Sequence, residues 1–244
     1  MKQRAKTGIP GLDEMLHGGF IPGSAVLVQG APGTGKTTLG LQFLYHGITQ
    51  EDEPGLFITF EEFPQTIYRD ALSLGWDLQQ LEEAKKLRLI FTSPRIFLPS
   101  LEIPTSPLNR AIMERGVKRV VLDSITHFTR LTVNPIELRK IYTTVVNGLK
   151  REGVTTLLTG EEGTAGFRHT AGGLAFLVDT IILTRYVEIA SAMERAIMVI
   201  KMRGSSHDKA IRRFEIRRGG IIVGEKFEGQ EGLLTGSARR IPVR

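Results

Sequence analysis

The run Gly30-Ala31-Pro32-Gly33-Thr34-Gly35-Lys36-Thr37 fits the spacing G-x-x-x-x-G-K-[ST] at every fixed position. Glycines at these places let successive backbone N–H groups turn inward around phosphate oxygens without obstruction by side chains. Lys36 sits where an ammonium neutralises phosphate charge, and the Thr37 hydroxyl sits where it can coordinate Mg²⁺. Thr38 continues the same turn. Chemistry of this kind needs an acidic partner on the metal side, and Val120-Val121-Leu122-Asp123 supplies an apolar stretch ending in a carboxylate. An aspartate there is either a helix cap or the residue that holds the metal's water shell; beside a phosphate-binding run, the metal reading is favoured. Glu61 and Glu62 follow another apolar stretch, Leu56–Phe60. They read equally as a base that orients or deprotonates an attacking water or hydroxyl, and as a solvated acidic turn capping the next helix.

For these groups to meet, the apolar stretches must lie side by side as strands, with their carboxyl ends at the edge where α/β sheets bind ligands. Apolar runs and helix-period stretches do alternate along the chain, the pattern of a parallel sheet with crossover helices. Strands are expected at Ala25–Gln29, Leu56–Phe60, Arg119–Leu122, Thr155–Thr159 and Thr180–Thr184. Three more, at Ala196–Met202, Arg212–Arg217 and Ile221–Val223, are close enough together to be antiparallel neighbours. Helices are expected at Lys36–Ile48, Phe63–Leu74, Pro107–Arg115 and Pro135–Glu152. The phosphate-binding run thus joins a strand to a helix, whose N-terminus adds its positive dipole end. In the last helix Pro135 suits the first turn, and Ile136, Leu138, Ile141, Val145 and Leu149 form an apolar stripe for docking on the sheet.

A chain of 244 residues, 41% hydrophobic and 24% charged, can bury one large α/β core, so residues 1–244 read as a single domain with 239–244 as a frayed basic tail. The absence of cysteine excludes disulfides, cysteine-ligated zinc and thiol catalysis. No apolar run approaches the roughly 20 residues that cross a bilayer, and a glycine-rich run rather than a signal-peptide core follows the basic N-terminus. A cytoplasmic location without membrane attachment is therefore expected. The formal charge of +6 permits attraction to nucleotides, nucleic acid or acidic proteins and chooses among none of them.

Further segments surround the phosphate-binding run. Thr7-Gly8-Ile9-Pro10-Gly11-Leu12-Asp13 and Gly18-Gly19-Phe20-Ile21-Pro22-Gly23-Ser24 lead into it; Phe60-Glu61-Glu62 and Val121-Leu122-Asp123-Ser124 follow. Lys201-Met202-Arg203-Gly204-Ser205-Ser206-His207 has the pattern K-x-R-G-x-x-H, and Phe227-Glu228-Gly229 and Gly232-Leu233-Leu234-Thr235-Gly236-Ser237 come near the end. Together, over roughly residues 6–240, these resemble the KaiC family of RecA-like ATPases. The resemblance implies a RecA-like P-loop NTPase fold: a mostly parallel twisted sheet flanked by helices, with antiparallel strands near the C-terminus. It implies Mg²⁺-dependent ATP hydrolysis by a homo-oligomeric ring, usually a hexamer, with ATP held between subunits, and a signalling or regulatory output. Glu61 and Glu62 would be the catalytic carboxylates, with Glu61 the base. Lys201 and Arg203 would reach the neighbour's γ-phosphate, and His207 would support that edge of the site. The alternative reading of Lys201 and Arg203 is an exposed basic strand edge that discourages aggregation. In the second domain of the family's clock members, phosphate-accepting hydroxyls precede a D-T-I-I stretch. Here Asp179-Thr180-Ile181-Ile182 follows Ala175 and Phe176, so self-phosphorylation of that type is not expected, although Thr170 lies nearby.

Two other functions remain open at this stage: an ATP-regulated accessory factor for single-stranded DNA, resembling the recombinase paralogues, and an ATP-binding scaffold with little turnover. The loops that would face DNA are 126–134 and 161–173. The second holds Gly163, Gly166, Gly172 and Gly173, with Phe167 available to stack on a base. Its cationic footprint is small, Arg168 and His169, and Glu161 and Glu162 precede them. Nucleic acid is permitted but not indicated.

Overall fold

The computed structural model describes residues 4–161, 173–228, 230–232 and 239–240. Its helices are α1 (Leu12–Met15), α2 (Lys36–Gln50), α3 (Pro64–Ser73), α4 (Leu78–Glu83), α5 (Pro94–Glu102), α6 (Pro107–Glu114), α7 (Pro135–Arg151) and α8 (Leu174–Leu177). Its strands are β1 (Ala25–Gly30), β2 (Gly55–Thr59), β3 (Leu87–Phe91), β4 (Arg119–Asp123), β5 (Thr155–Glu161), β6 (Thr180–Ile189), β7 (Ala192–Met202), β8 (Arg212–Arg217), β9 (Gly220–Lys226), β10 (Gln230–Glu231) and β11 (Arg239–Arg240). A 3₁₀ helix over Ile125–Arg130 follows β4. The main sheet runs β3-β2-β4-β5-β1-β6-β7-β8-β9. Strands β1 to β6 pair in parallel, and β6 to β9 pair antiparallel. This is the expected α/β architecture, with its parallel body and antiparallel C-terminal extension.

The sheet is covered on both faces, so its central strands are apolar at nearly every position rather than alternately. All six residues of β1 are buried. Strand period still divides them. Val26, Val28, Phe57, Val121, Leu157 and Ile182 face α2, α3 and α4 in one core. Ala25, Leu27, Leu56, Ile58, Val120, Leu122 and Leu158 face α5, α6, α7 and α8 in the other. The stripe foreseen on α7 is largely what packs there: Leu138, Val145 and Leu149 are buried, whereas Ile136 is exposed.

Several elements depart from the sequence expectation. Strand β3 and helix α5 fill a stretch for which no element was foreseen; β3 is an edge strand with Leu87 and Leu89 inward, and α5 carries Pro99 inside it. The β6–β7 hairpin extends well past Thr184 to a turn at Ala190 and Ser191, where φ is +50° and +63°. Hairpin turns of this kind need positive φ at both central positions, and Ala-Ser carries none of the usual Asn-Gly signal. Arg239–Arg240, expected in a frayed tail, instead pairs antiparallel with Gln230–Glu231; residues 241–244 lie outside the described residues.

Candidate functional site

Strand β1 lies between β5 and β6, with β4 next beyond β5, so the carboxyl ends of β1, β4 and β5 share one edge. The loop from Gly30 to Gly35 leaves β1 there and turns into α2. Gly30 has no room for a side chain: a Cβ would meet the Thr184 hydroxyl at 2.3 Å and the Thr184 carbonyl at 2.4 Å. Gly35 takes φ of +92° at the helix N-cap, a left-handed conformation that glycine adopts without steric cost. The first turn of α2 therefore begins directly at the loop, its N-terminal amides free of any side-chain cap from Gly35.

Pro32, Gly33, Lys36, Thr37, Thr59, Glu61, Glu62, Asp123, Ser124, His127 and Glu161 line a cavity of about 200 Å³ above this edge. Lys36 Nζ donates to the carbonyls of Gly30 at 3.0 Å and Ala31 at 2.9 Å, both in its own loop. Burial holds its pKa below the ordinary lysine value, opposed by the negative charges of Asp123 and Glu161. Thr37 Oγ1 donates to Asp123 Oδ2 at 2.7 Å, and the Thr159 hydroxyl donates to the other carboxylate oxygen. This oxygen-only pair suits a hard divalent cation such as Mg²⁺.

Glu61 and Glu62 follow β2, and the Thr59 hydroxyl accepts from both their amides, at 3.3 and 3.2 Å. Glu61 is open to solvent, yet its Oε2 lies 3.1 Å from Nε2 of His127, which is only 7% exposed and packs edge-on against Phe60. Burial raises the pKa of Glu62, and the negative charges of Asp123, Asp70 and Glu61 raise it further. A carboxyl so placed ionises at higher pH than usual and is a stronger base once ionised.

The structure thus brings Lys36, Thr37, Asp123, Glu61 and Glu62 together, along with Pro32 and Gly33. Gly30, Ala31, Thr34, Gly35 and Thr38 shape the loop and first turn without lining the cavity. Lys201, Arg203 and His207 lie elsewhere. Lys201 pairs with Ile181 near the start of β6, whereas the loop leaves β1 beside Thr184. That register puts the two groups about 10 Å apart along the strands, toward opposite edges of the sheet. Lys201 Nζ donates to the Ala175 and Val178 carbonyls at 2.8 and 2.7 Å, and Arg203 donates to the Phe176 carbonyl at 2.8 Å. His207 sits beside Ser206, whose hydroxyl lies 3.1 Å from His17 Nδ1, and its own Nδ1 is buried without a hydrogen-bond partner. Sequence reasoning missed His127, Thr159 and Glu161 as lining or bracing groups. His127 lies four residues after Asp123, where a turn follows the strand, and that position was the available signal. Thr170 and most of loop 161–173 lie outside the described residues.

Comparison with known proteins agrees with this geometry. A family model described as "ATPase: KaiC" matches residues 5–228. The circadian clock oscillator protein KaiC of Prochlorococcus marinus (strain MIT 9313) is 36% identical over 229 residues, covering 91% of this chain and 46% of that protein. The KaiC of Picosynechococcus sp. (strain ATCC 27264 / PCC 7002 / PR-6) is 38% identical over 229 residues, covering 91% and 44%. The chain therefore spans less than half the length of these curated relatives. The crystal structure of the KaiC-like protein PH0186 from the hyperthermophilic archaeon Pyrococcus horikoshii OT3 superposes with a TM-score of 0.81 at 32% identity, covering 91% of this chain and 99% of that one. With the family model matching residues 5–228 and the KaiC-like structure superposing over 91% of the chain, this chain belongs to the KaiC family of RecA-like ATPases.

Proposed function

We propose that this chain binds ATP with Mg²⁺ at the β1–α2 loop and hydrolyses it, working as a head-to-tail ring whose ATP sites lie between subunits and whose output is regulatory. The observation that carries the reading is the convergence of Lys36, the Thr37–Asp123 pair and Glu61–Glu62 on one cavity. Lys36 exchanges its loop carbonyls for phosphate oxygens. Thr37 would hold Mg²⁺ directly and Asp123 through the ion's water shell; when bound, that ion neutralises charge on the phosphates. Glu61 orients the attacking water and takes its proton, and the buried His127 ring fixes the direction of the carboxylate. Glu62, its pKa raised by burial and by the neighbouring carboxylates, stands beside Glu61 as the second carboxylate of the site. Lys201 and Arg203, too far along the sheet to serve this cavity in the same chain, supply charge to the site of the next copy. A contact joining two different faces is heterologous and closes into a ring when its rotation permits.

The test follows the γ-phosphate of labelled ATP with Mg²⁺, separating free phosphate from label on the protein. Free phosphate that disappears in Lys36→Ala and in Glu61→Gln is the expected result. Label retained covalently, or phosphate release that survives Lys36→Ala, overturns the reading.

A further inference from the structure

Strand β6 runs beside β1 and carries two hydroxyls two positions apart, Thr184 and Tyr186. Alternate residues of a strand share a face, so the pair reaches successive residues of the phosphate loop. Thr184 Oγ1 is 2.9 Å from Thr34 Oγ1. Tyr186 OH donates to the Gly33 carbonyl at 2.7 Å. Gly33 has φ of +77°, and a Cβ built there would meet the phenol oxygen at 3.1 Å, so Tyr186 packs directly on the apex of the loop. Behind it stands Arg195, which faces Tyr186 across the β6–β7 ladder. The Arg195 guanidinium lies 5.3 Å from the ring centroid, and one of its terminal nitrogens is 3.3 Å from the phenol oxygen. Neither residue lines the cavity.

We propose that Tyr186, braced by Arg195, is a positioning residue for the phosphate cradle. A peptide unit is planar, so anchoring the Gly33 carbonyl also fixes the direction of the Thr34 N–H on the far side of the same bond, an N–H that here donates to the Ala31 carbonyl at 3.4 Å. The phosphate loop works by presenting such N–H groups in a set concave array. Holding one peptide in place beforehand removes part of the ordering cost that phosphate binding otherwise carries. The β6–β7 hairpin is thereby mechanically joined to the nucleotide site: a displacement of β7 moves Arg195, then Tyr186, then the loop.

The inference rests on the reading of this loop as a nucleotide phosphate site, and the experiment separates the two. Equilibrium titration with ATP and with ADP is run on the wild-type chain, Lys36→Ala, Tyr186→Phe, Arg195→Met and the Tyr186→Phe/Arg195→Met double variant, with melting temperatures measured without nucleotide. Loss of one neutral hydrogen bond corresponds to roughly a threefold to tenfold rise in Kd, expected for Tyr186→Phe and of similar size for both nucleotides. Arg195→Met shifts Kd the same way, and the double variant shifts it by less than the product of the two, since both act through one contact. Unchanged nucleotide affinity in Tyr186→Phe, with or without a lower melting temperature, overturns the proposal and leaves the tyrosine a structural contact. Failure of the wild-type chain to bind, or undiminished binding by Lys36→Ala, overturns the underlying reading instead.

Discussion

Lys36 illustrates how a single side chain can be held ready by its own loop. Its ammonium bonds to two loop carbonyls and is partly desolvated, so in the proposed site phosphate oxygens would have to offer stronger, charge-assisted partners to draw it away. Lys36→Ala is expected to weaken ATP binding on the order of 100-fold, read by equilibrium titration. Glu62 makes a pH-dependent prediction. Its pKa in the folded chain is raised by burial and by neighbouring carboxylates, so between the unfolded and folded values the native state holds more protons than the unfolded one. Stability contributed by the protonated carboxyl is then lost as pH rises through that window. Glu62→Gln should melt higher than the wild-type chain at neutral pH, with the difference shrinking as pH falls below the carboxylate range; a pH series of melting curves checks it. At this scale the residues with fixed spacing are legible from sequence alone: Gly30 to Thr37, Glu61, Glu62 and Asp123 all reach one edge. His127 and Thr159 are not, because their relevance comes from contacts across the sheet to Glu61 and Asp123, which no local spacing encodes.

Among the elements, α7 shows how local signals set a boundary. The Asn134 side chain accepts from the amides of Ile136 and Glu137, and Pro135 occupies the first turn, where its missing N–H costs nothing. At the other end Lys150 pairs with Asp179 at 2.5 Å, and Asp179 Oδ2 accepts from the amide of Ala25, the first residue of β1. The helix thus braces the base of the strand that launches the phosphate loop. Asn134→Ala should lower stability by about 1 kcal/mol, equivalent to a fall of about 2–4 °C in Tm for a chain of this size. The parallel body was readable because buried strands are short apolar runs separated by helix-period stretches. The misses share one cause, a local signal weakened by the tertiary setting. The edge strand β3 shows only partial alternation, Pro99 interrupts the pattern of α5, and the β6–β7 turn is made by Ala190 and Ser191 rather than by glycine or asparagine.

Across the whole molecule, distant parts of the chain are tied to α2. Gln42 is buried in that helix; its amide donates to the carbonyls of Gly8 at 2.9 Å and Ile221 at 3.2 Å and accepts from the Ile221 amide at 2.7 Å. One side chain thereby joins the N-terminal approach to the β8–β9 hairpin. Gln42→Ala leaves three backbone groups unpaired and opens a void, which should cost about 2–4 kcal/mol in denaturant unfolding. The proposed sharing of sites is tested at the same scale. Arg203→Ala should spare ATP binding and slow turnover on the order of 10³-fold. Mixed with Glu61→Gln, it should recover part of the activity, because some interfaces then combine an intact carboxylate with an intact arginine; no recovery in verified mixed assemblies would count against sharing. If Lys201 and Arg203 serve the next copy as proposed, their placement away from the phosphate loop carries a consequence in stoichiometry. A row of n copies joined head to tail has only n − 1 matched junctions and leaves one loop and one cation pair unmated at its two extremities. Closure supplies the missing junction. Activity per chain should therefore climb with protein concentration and level off once every extremity has found a mate, whatever the number of copies that closes the circle.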